Sequence, residues 1–505
     1  MLLTQRIKKL SLLMLLTPIA LCGFIHLWKP ADFPFGLSND EAIYLRRAIH
    51  VLNGLGPQEG PFYDHPYFAQ LFLAGIFKAV GYPHSLHPVP DGKPLSIEML
   101  YSVPRILTGV LSMVDTFLLF KITDLLYNGK VAFLAAMLFA VMPIGSELRW
   151  VHLEPIQLSL FLSSILFAIY FGRNYNYKIK SNVLILLSGI FLGLAIFTKI
   201  PAFTMIPLVG FLIYKSNKKL KSFGIWFLPV ILIPLIWPAY ALSIGQLDQW
   251  WSSVYLQTQR ANQTFFSSLK YNFMSDPLFV TIAAIALFFT ILVQKDLFIL
   301  LWIAPFLVFL YLVGFVSYWH FIPVLPVACI AGARMIVHLS NVISNRRPVI
   351  GRYIPYIFII AMAVFGLLST AIAIISSDNS TFFEATAFLT HYLHDNARYD
   401  VDDGIDSKLT LIGNPAYLWI PQYVFQFPGD YIGYYENNKH IRSNTIVEVL
   451  DNGLKSLLSK NNAAQQIELL NKNRQLYDIK KLAEFEGQAD NKNNAISVYE
   501  FRSRG

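Results

Sequence analysis

Two adjacent carboxylates, Asp40 and Glu41, lie shortly after the first long apolar run of the chain, residues 10–28. Carboxylates are costly at or near lipid hydrocarbon, so an acidic pair in this position indicates a functional site. Such a group could take a proton from a substrate. The competing interpretation is structural: Asp40 could be the N-cap of a helix that begins at Glu41, because Ser38 and Asn39 precede it.

The other polar side chains suited to chemistry all fall on one predicted side of the membrane. They are Asp64 and His65, Arg105, Arg149 with His152 and Glu154, Lys199, and Tyr318 with His320. Carboxylates and cations are both present, so a cavity that they line could hold an anionic headgroup and also abstract a proton. Any one of these groups is more often a snorkelling or capping residue than a catalyst. The functional interpretation rests on the observation that all of these groups fall on the same predicted side of the membrane.

The composition indicates an integral membrane protein with many spans. The chain has 505 residues, of which 55% are hydrophobic and 14% are charged, and its mean hydropathy is +0.48. A soluble domain carries about 25% charged residues. The net charge of +9 comes from short Lys and Arg clusters between apolar runs, which favours the positive-inside pattern over nucleic-acid binding. Cys22 and Cys329 both lie in apolar runs, which excludes a disulfide framework and a thiolate metal cluster.

Apolar runs separated by turn residues and charges predict about eleven membrane spans. These runs are 10–28, 100–126, 131–146, 155–171, 183–198, 201–214, 222–244, 277–294, 297–316, 319–339 and 353–375. Arg6, Lys8 and Lys9 precede the first run, which has roughly the 20 residues that a bilayer requires and no small-residue cleavage site after it. We therefore predict a retained anchor with a cytoplasmic N-terminus; a cleaved signal peptide is the alternative.

Lys and Arg residues are concentrated in alternate connections between the spans, and this asymmetry agrees with one orientation throughout. Two long segments then lie outside, residues 29–98 with the acidic pair and residues 245–276 with many aromatic side chains. The apolar stretch 66–82 is interrupted by a lysine and predicts a helix that lies in the membrane interface. The glycosylation sequons at Asn262 and Asn379 also fall in outer segments.

The composition becomes polar after about residue 376. Strand-like runs occur at 409–412, 431–435 and 495–501, and helical patterns at 382–394 and 445–458. We predict a membrane domain of residues 1–376 and a small extracytoplasmic α+β domain of residues 377–505.

Several short motifs follow one another in a fixed order. Asp40-Glu41 is followed by Tyr44 and then by Asp64-His65-Pro66-Tyr67. These elements resemble the acidic motif and the His-Pro-Pro element in the first outer loop of the GT-C membrane glycosyltransferases. Within that superfamily the resemblance is to the branch of the protein O-mannosyltransferases and aminoarabinose transferases. Tyr67 stands where the second proline of the element is common.

Later segments resemble the same family in the same order, so that the resemblance covers roughly residues 10–340. They are Pro104-Arg105 with Gly109, Arg149 to Pro155, Thr198-Lys199, and Tyr318 with Pro323 and Pro326. The chain departs from the family pattern at Glu154, where the family has aspartate, and at Ser317, where arginine is common.

The resemblance implies an enzyme that moves a sugar from a polyprenyl-phosphate lipid to a protein, lipid or glycan acceptor outside the cytoplasm. It implies Asp40 as general base and Glu41 as a residue that orients the acceptor or the loop. Glu154 would orient the donor sugar or support Asp40. The implied residues for the donor phosphate and the substrates are His65, Arg105, Arg149, His152, Lys199, Tyr318 and His320.

The expected protein is therefore a GT-C-like α-helical polytopic protein of the cell membrane with a small outer α+β domain. No cofactor is implied with certainty, and the family leaves a divalent metal open. A transporter or flippase is the alternative in another class; it would need polar groups at mid-bilayer on broken helices, and Asp115 is the main candidate. A third alternative is an assembly protein that binds a partner through its outer domain.

Overall fold

Helices make up most of the chain in the computed structural model, which describes residues 2–36, 38–87, 91–173, 178–260, 264–397, 409–433, 445–451, 477–486 and 495–503. The helices are α1 (Leu2–Leu27), α2 (Asn39–Leu52), α3 (Phe68–Val80), α4 (Pro94–Leu126), α5 (Gly129–Val141), α6 (Leu153–Arg173), α7 (Lys178–Thr198), α8 (Ile206–Ser216), α9 (Leu220–Leu232), α10 (Ile236–Ser243), α11 (Leu247–Gln259), α12 (Phe265–Ser275), α13 (Pro277–Leu292), α14 (Leu297–Leu312), α15 (Leu325–Arg346), α16 (Pro348–Ser376), α17 (Ser380–Ala397) and α18 (Pro415–Trp419). Short 3₁₀ turns at Pro143–Arg149, Ile200–Met205 and Tyr318–Val324, and a π-helical turn at Ile420–Val424, interrupt this series.

Every predicted apolar run falls on a helix or a broken helix within the described residues. Of the described helices, five are long and apolar enough to cross a membrane, and the number rises to eight if each of three bent pairs is one span. The bends are 68° after α5, 41° between α9 and α10, and 118° between α12 and α13. Shorter apolar helices at Leu12–Leu27, Ile200–Ser216 and Leu297–Leu312 correspond to the other predicted spans, so the count of eleven stays a prediction.

The chain divides into two compact units, and the first contains most of the apolar helices. This unit is formed by Met1–Trp28, Gln58–Ala69 and Arg105–Ile375. Its apolar core includes the fully buried rings of Trp226 and Trp302. Helices α7 and α9 pack very closely because Gly189 and Gly193 face the α9 backbone; a Cβ at either position would collide with a carbonyl oxygen. This contact fixes α7, at whose end Lys199 lies.

The second unit contains a five-stranded mixed sheet and is formed by Lys29–Pro57, Gln70–Pro104 and Ser376–Gly505. The strands are β1 (Thr410–Gly413), β2 (Asp430–Gly433), β3 (Thr445–Leu450), β4 (Tyr477–Phe485) and β5 (Ile496–Ser503), in the order β2-β1-β3-β5-β4. β1 is parallel to β2 and β3, whereas β5 is antiparallel to β3 and β4. The apolar face of α17, with Leu389 and Leu393, packs into the core with Val447 and Val498.

The sheet corrects one prediction and adds one element. Residues 445–450 were predicted as the start of a helix, but they form the central strand β3. The reason is that Ile446, Val447 and Val449 are β-branched and buried between two neighbouring strands. The rest of the predicted helix, residues 452–458, lies outside the described residues.

Strand β4 was not predicted. It lies at the sheet edge and carries Lys480 and Lys481, so it lacks the apolar run that marks an inner strand.

Candidate active site

The acidic pair lies in the first turn of α2, in the second unit. The helix begins at Asn39 with Ser38 as the N-cap residue, and the amide of Ala42 donates to the carbonyl of Ser38 at 3.1 Å. Asp40 is therefore inside the helix, and the interpretation of Asp40 as the N-cap is wrong. The two acids differ in exposure: Glu41 is fully buried, whereas Asp40 is half-exposed. Only Asp40 is thus accessible to a substrate from solvent.

Helix α2 is held along its buried face within the second unit. It packs against α18 and the π-helical turn, and the Arg46 guanidinium lies 5.7 Å from the centre of the Tyr423 ring. Glu41 lies within electrostatic range of Tyr82, whose hydroxyl donates to the carbonyl of Leu100 at 2.9 Å. Tertiary packing therefore fixes the helix that carries Asp40. The two acids in its first turn also interact favourably with the positive end of the helix dipole.

In the first unit, a row of stacked groups follows the 3₁₀ turn Pro143–Arg149. The Arg105 guanidinium lies 4.8 Å from the centre of the Trp150 ring, and Trp150 stacks on His152 at 5.9 Å with a 9° interplanar angle. His152 contacts Trp319 at 5.4 Å between ring centres. Arg105 and His152 are buried, so their orientation is fixed by this stacking.

A buried ion pair joins the start of α6 to the end of α7. The Nζ atom of Lys199 contacts Oε1 of Glu154, and the two side chains are 6% and 3% exposed. Gln157, one turn further along α6, donates from Nε2 to the carbonyl of Lys199. The carboxylate compensates the lysine charge where water is scarce, and the amide of Gln157 holds the lysine backbone at the break after Thr198.

His320 is placed by the short turn Tyr318–Val324. Its Nδ1 accepts a hydrogen bond from the amide of Ser317 at 3.0 Å, so the neutral ring carries its proton on Nε2. Lys199, His152, His65 and Arg260 all lie within electrostatic range of His320. The structure thus brings together four predicted site residues from four chain segments and adds Arg260. The guanidinium of Arg260 lies 4.0 Å from the centre of the Phe315 ring.

His65 lies in a segment of the first unit, Gln58–Ala69, whose aromatic residues contact other parts of that unit. Its amide donates to Oδ1 of Asp64 at 2.9 Å. On one side, the Tyr63 hydroxyl donates to Oε1 of Gln246 at 2.7 Å. On the other, the Tyr67 ring lies 5.0 Å from that of Phe197, close to Lys199 in sequence. The tyrosine that replaces the second proline of the family element therefore has a packing role here.

Tyr318 lies on an aromatic pair. Its ring stacks on Tyr271 with 4.1 Å between ring centres and a 27° interplanar angle, and its carbonyl accepts from Nδ2 of Asn272 at 3.2 Å. Tyr271 and Asn272 lie on α12, within the aromatic segment 245–276 that the sequence predicts to lie outside. Stacked phenol rings offer a flat apolar face with polar edges, which suits a sugar ring or a headgroup.

Arg149 has contacts that the sequence did not indicate. Its two terminal nitrogens donate to the carbonyls of Ile25 at 2.7 Å and Trp28 at 2.6 Å, at the end of α1. Its own carbonyl accepts from the Thr108 hydroxyl at 3.0 Å. The guanidinium therefore satisfies carbonyls that a helix end leaves without partners. A contact between Arg149 and a donor phosphate stays a prediction.

Glu147 was missed as a site residue. It lies in the turn Pro143–Arg149, within electrostatic range of Glu154 and Tyr271. Its Oε2 atom is buried and has no hydrogen-bond partner among the described residues. The available signal was a carboxylate two residues before Arg149, in a turn predicted to lie outside. Two carboxylates near stacked tyrosines can accept hydrogen bonds from sugar hydroxyls.

The cluster of the first unit is suited to an anion. Lys199 and Arg105 are cations, and neutral imidazoles add N–H donors, so a phosphate could receive several charge-assisted hydrogen bonds. Among the described residues, no group of three or more His, Cys, Asp or Glu side chains is arranged to hold a metal ion.

His152 gives the site a pH dependence. Burial lowers the pKa of His152 to about 3, and the charges of Lys199 and Arg105 act in the same direction. An unfolded histidine has a pKa of about 6.5, so the unfolded chain binds this proton first as the pH falls. The contribution to stability is therefore complete above about pH 6.5 and is lost towards pH 3.

We expect the unfolding temperature in detergent to fall between about pH 8 and about pH 4.5 more steeply for the wild type than for His152→Asn. The difference between the two curves isolates this histidine, because other titrating groups are common to both proteins. Parallel curves would show that His152 binds as many protons in the folded state as in the unfolded state, which would contradict the lowered pKa.

Comparison with known proteins identifies the architecture. Residues 101–241 match the family of dolichyl-phosphate-mannose-protein mannosyltransferases. ArnT from Cupriavidus metallidurans, solved with bound undecaprenyl phosphate, superposes with a TM-score of 0.61 at 10% identity over 96% of this chain and 97% of its own. The oligosaccharyltransferase AglB from Archaeoglobus fulgidus, solved with an inhibitory peptide and dolichol-phosphate, gives a TM-score of 0.57 at 12% identity over 94% of this chain and 73% of its own.

At these identities the structural matches establish the fold, and comparison with curated protein sequences gives no match. The family match covers the part of the chain that contains Arg105, His152, Glu154 and Lys199. The predicted resemblance and the predicted fold class are confirmed. The chain shares the fold of ArnT and of AglB, and its residues 101–241 resemble the dolichyl-phosphate-mannose-protein mannosyltransferases.

Proposed function

We propose that this protein transfers a sugar from a polyprenyl-phosphate lipid to an acceptor on the outer face of the membrane. The observation that carries the proposal is the buried Lys199–Glu154 pair within a group of imidazoles and cations. Such a group suits a phosphate at the end of a lipid, and the related ArnT structure holds undecaprenyl phosphate. The multi-pass architecture fits a substrate with a long apolar tail.

The reaction assigned to these residues is a single displacement at the anomeric carbon. Asp40 takes the proton from an acceptor hydroxyl or amine, and the acceptor atom forms a bond to that carbon. The bond from the anomeric carbon to the phosphate oxygen breaks, and the electron pair leaves with the polyprenyl phosphate. Lys199, His65 and His320 stabilise the charge of the departing phosphate, with Arg105 acting through Trp150 and His152.

The acids have separate roles in this proposal. Glu41, which is buried, orients α2 and the acceptor region. Glu154 holds Lys199 and contacts the donor sugar. The acceptor in this proposal is a protein or a glycolipid. The membrane part, residues 1–376, carries the donor chemistry, while residues 377–505 lie outside the cytoplasm and the N-terminus lies inside. The stacked Tyr271 and Tyr318 offer a platform for the sugar.

Binding of undecaprenyl phosphate tests the donor half of the proposal. Native mass spectrometry of the detergent-solubilised protein is expected to retain undecaprenyl phosphate and to lose undecaprenol under the same collision energy, because the phosphate carries the specific contacts. Equal retention of the two lipids would mean that the cation cluster does not bind the phosphate.

A further inference from the structure

Asn379 is a sequon residue whose side chain is buried within the second unit. The side chain is 0% exposed, so its amide is inaccessible to a glycan-attaching enzyme in the folded protein. Its carbonyl begins α17 by accepting from the amide of Phe382 at 3.0 Å. The side chain does not cap this helix; the neighbouring Asp378 instead accepts from the amide of Ser380 at 2.8 Å. The other sequon residue, Asn262, lies outside the part of the chain that the structure describes.

The side-chain amide of Asn379 binds the backbone of residues 29–36, here called the α1–α2 segment. Its Nδ2 lies 2.7 Å from the carbonyl oxygen of Ala31, 3.0 Å from that of Asp32 and 3.2 Å from that of Pro34. Its Oδ1 accepts from the amide of Gly36 at 2.8 Å. One side chain thus binds four backbone groups that are more than 340 residues away in the sequence.

The Asn379 side chain supplies hydrogen-bond partners to the backbone of the α1–α2 segment. The α1–α2 segment forms turns and bends without helix or strand, and one hydrogen bond of its own runs from the amide of Phe33 to the carbonyl of Lys29 at 3.3 Å. Ala31 is only 2% exposed, and buried carbonyl groups are costly unless they receive hydrogen bonds. The Phe35 ring meets the edge of Phe382 with 6.1 Å between centres, which adds an apolar contact at the same place.

The α1–α2 segment precedes α2 in the chain and ends four residues before its first-turn residue Asp40. We propose that Asn379 is a positioning residue for Asp40, acting by fixing the segment that delivers the start of α2; this rests on the proposed function. Helix α2 itself packs against α18 and the π-helical turn. The Asn379 contacts add a second constraint, on the backbone that precedes the first turn, and in this proposal the carboxylate needs both.

The requirement is specific for asparagine. The three carbonyls need N–H donors and the Gly36 amide needs an acceptor, and a carboxamide of this length supplies both. Aspartate has the same shape but no N–H donor, and its charge would face three carbonyl oxygens. Asn379→Asp therefore removes the contacts with little change in volume.

Thr381 provides a matched control because its hydroxyl belongs to the same sequon. Thr381→Val keeps the shape of the side chain and removes the sequon, while it leaves the Asn379 amide intact. We expect Asn379→Asp to lower kcat for sugar release from undecaprenyl-phosphate sugars by about 10²-fold, since misplacement of a reacting group costs on that order. Retention of undecaprenyl phosphate should be unchanged, and Thr381→Val should match the wild type in both assays.

Hydrogen exchange gives a readout that does not depend on catalysis, and the amides of β3 and β5 show in the same experiment whether the variant is folded. In the wild type the Gly36 amide is expected to exchange slowly, and in Asn379→Asp it should exchange faster while the amides of β3 and β5 stay protected. Wild-type kcat in Asn379→Asp, equal losses in both variants, or rapid exchange of the Gly36 amide in the wild type would each overturn the inference. If the wild type releases no sugar but the exchange difference is found, the proposed function fails and the anchoring of the segment stands.

Discussion

Asp40→Asn is expected to lower the rate of sugar transfer by about 10²- to 10⁴-fold, which is the contribution of a positioned general base. The amide keeps the size of the side chain but cannot accept the proton of the acceptor. Asp40 is half-exposed in the first turn of α2 and is not the N-cap, so the substitution should leave the helix intact. Transfer is measured as release of polyprenyl phosphate from undecaprenyl-phosphate sugars in reconstituted vesicles.

The control for this prediction is Asp378→Asn, which alters another acid of the second unit. Its oxygen accepts from the amide of Ser380, and asparagine can make the same hydrogen bond. We expect this variant to transfer sugar at the wild-type rate and both variants to retain undecaprenyl phosphate. Full activity of Asp40→Asn would remove Asp40 as the base and leave the first turn of α2 with a structural role alone.

Lys199→Met is expected to have two separable effects. It leaves the carboxylate of Glu154 buried without its cation, and breaking a buried ion pair in this way costs about 3–5 kcal/mol. The unfolding temperature in detergent should fall accordingly. It also removes a cation proposed for the phosphate, so retention of undecaprenyl phosphate should fall by about tenfold or more, in line with about 1.5–3 kcal/mol for a hydrogen bond to a charged group.

A second substitution separates stability from binding. Lys199→Met combined with Glu154→Gln removes the uncompensated charge, and most of the lost stability should return. Retention of undecaprenyl phosphate should stay low, because the cation is still absent. Lys215→Met, which removes an exposed lysine near the Phe211 ring, serves as the control and should change neither quantity. If binding returns together with stability, the pair has only a structural role.

The sequence predicted the parts of this protein that depend on local pattern. The apolar runs coincide with helices because a bilayer requires long apolar segments with satisfied backbones. Lys199 and His320 could be identified because ionisable residues next to such runs are costly and therefore informative. Their convergence with His65 and His152 was predicted from their common side of the membrane, and the structure brings all four together.

What escaped prediction depends on partners distant in the sequence. Arg149 was assigned to a phosphate, yet its guanidinium binds the carbonyls of Ile25 and Trp28, more than 120 residues earlier. Asn379 matched a sequon, yet its amide binds Ala31 and Gly36. Spacing along the chain carries no information about such contacts, because they depend on which backbone groups the fold leaves unpaired.

The most direct test of the central claim is the fate of the lipid donor. Vesicles that contain the purified protein are given undecaprenyl-phosphate sugars, radiolabelled in the phosphate and extracted from membranes of the source organism. A membrane extract of the same organism supplies the acceptor. Free undecaprenyl phosphate is then measured over time. We predict that the wild type releases it and that Asp40→Asn does not, although both bind the lipid. Equal release by the two proteins, or no release by the wild type above empty vesicles, would contradict a glycosyltransferase that uses Asp40.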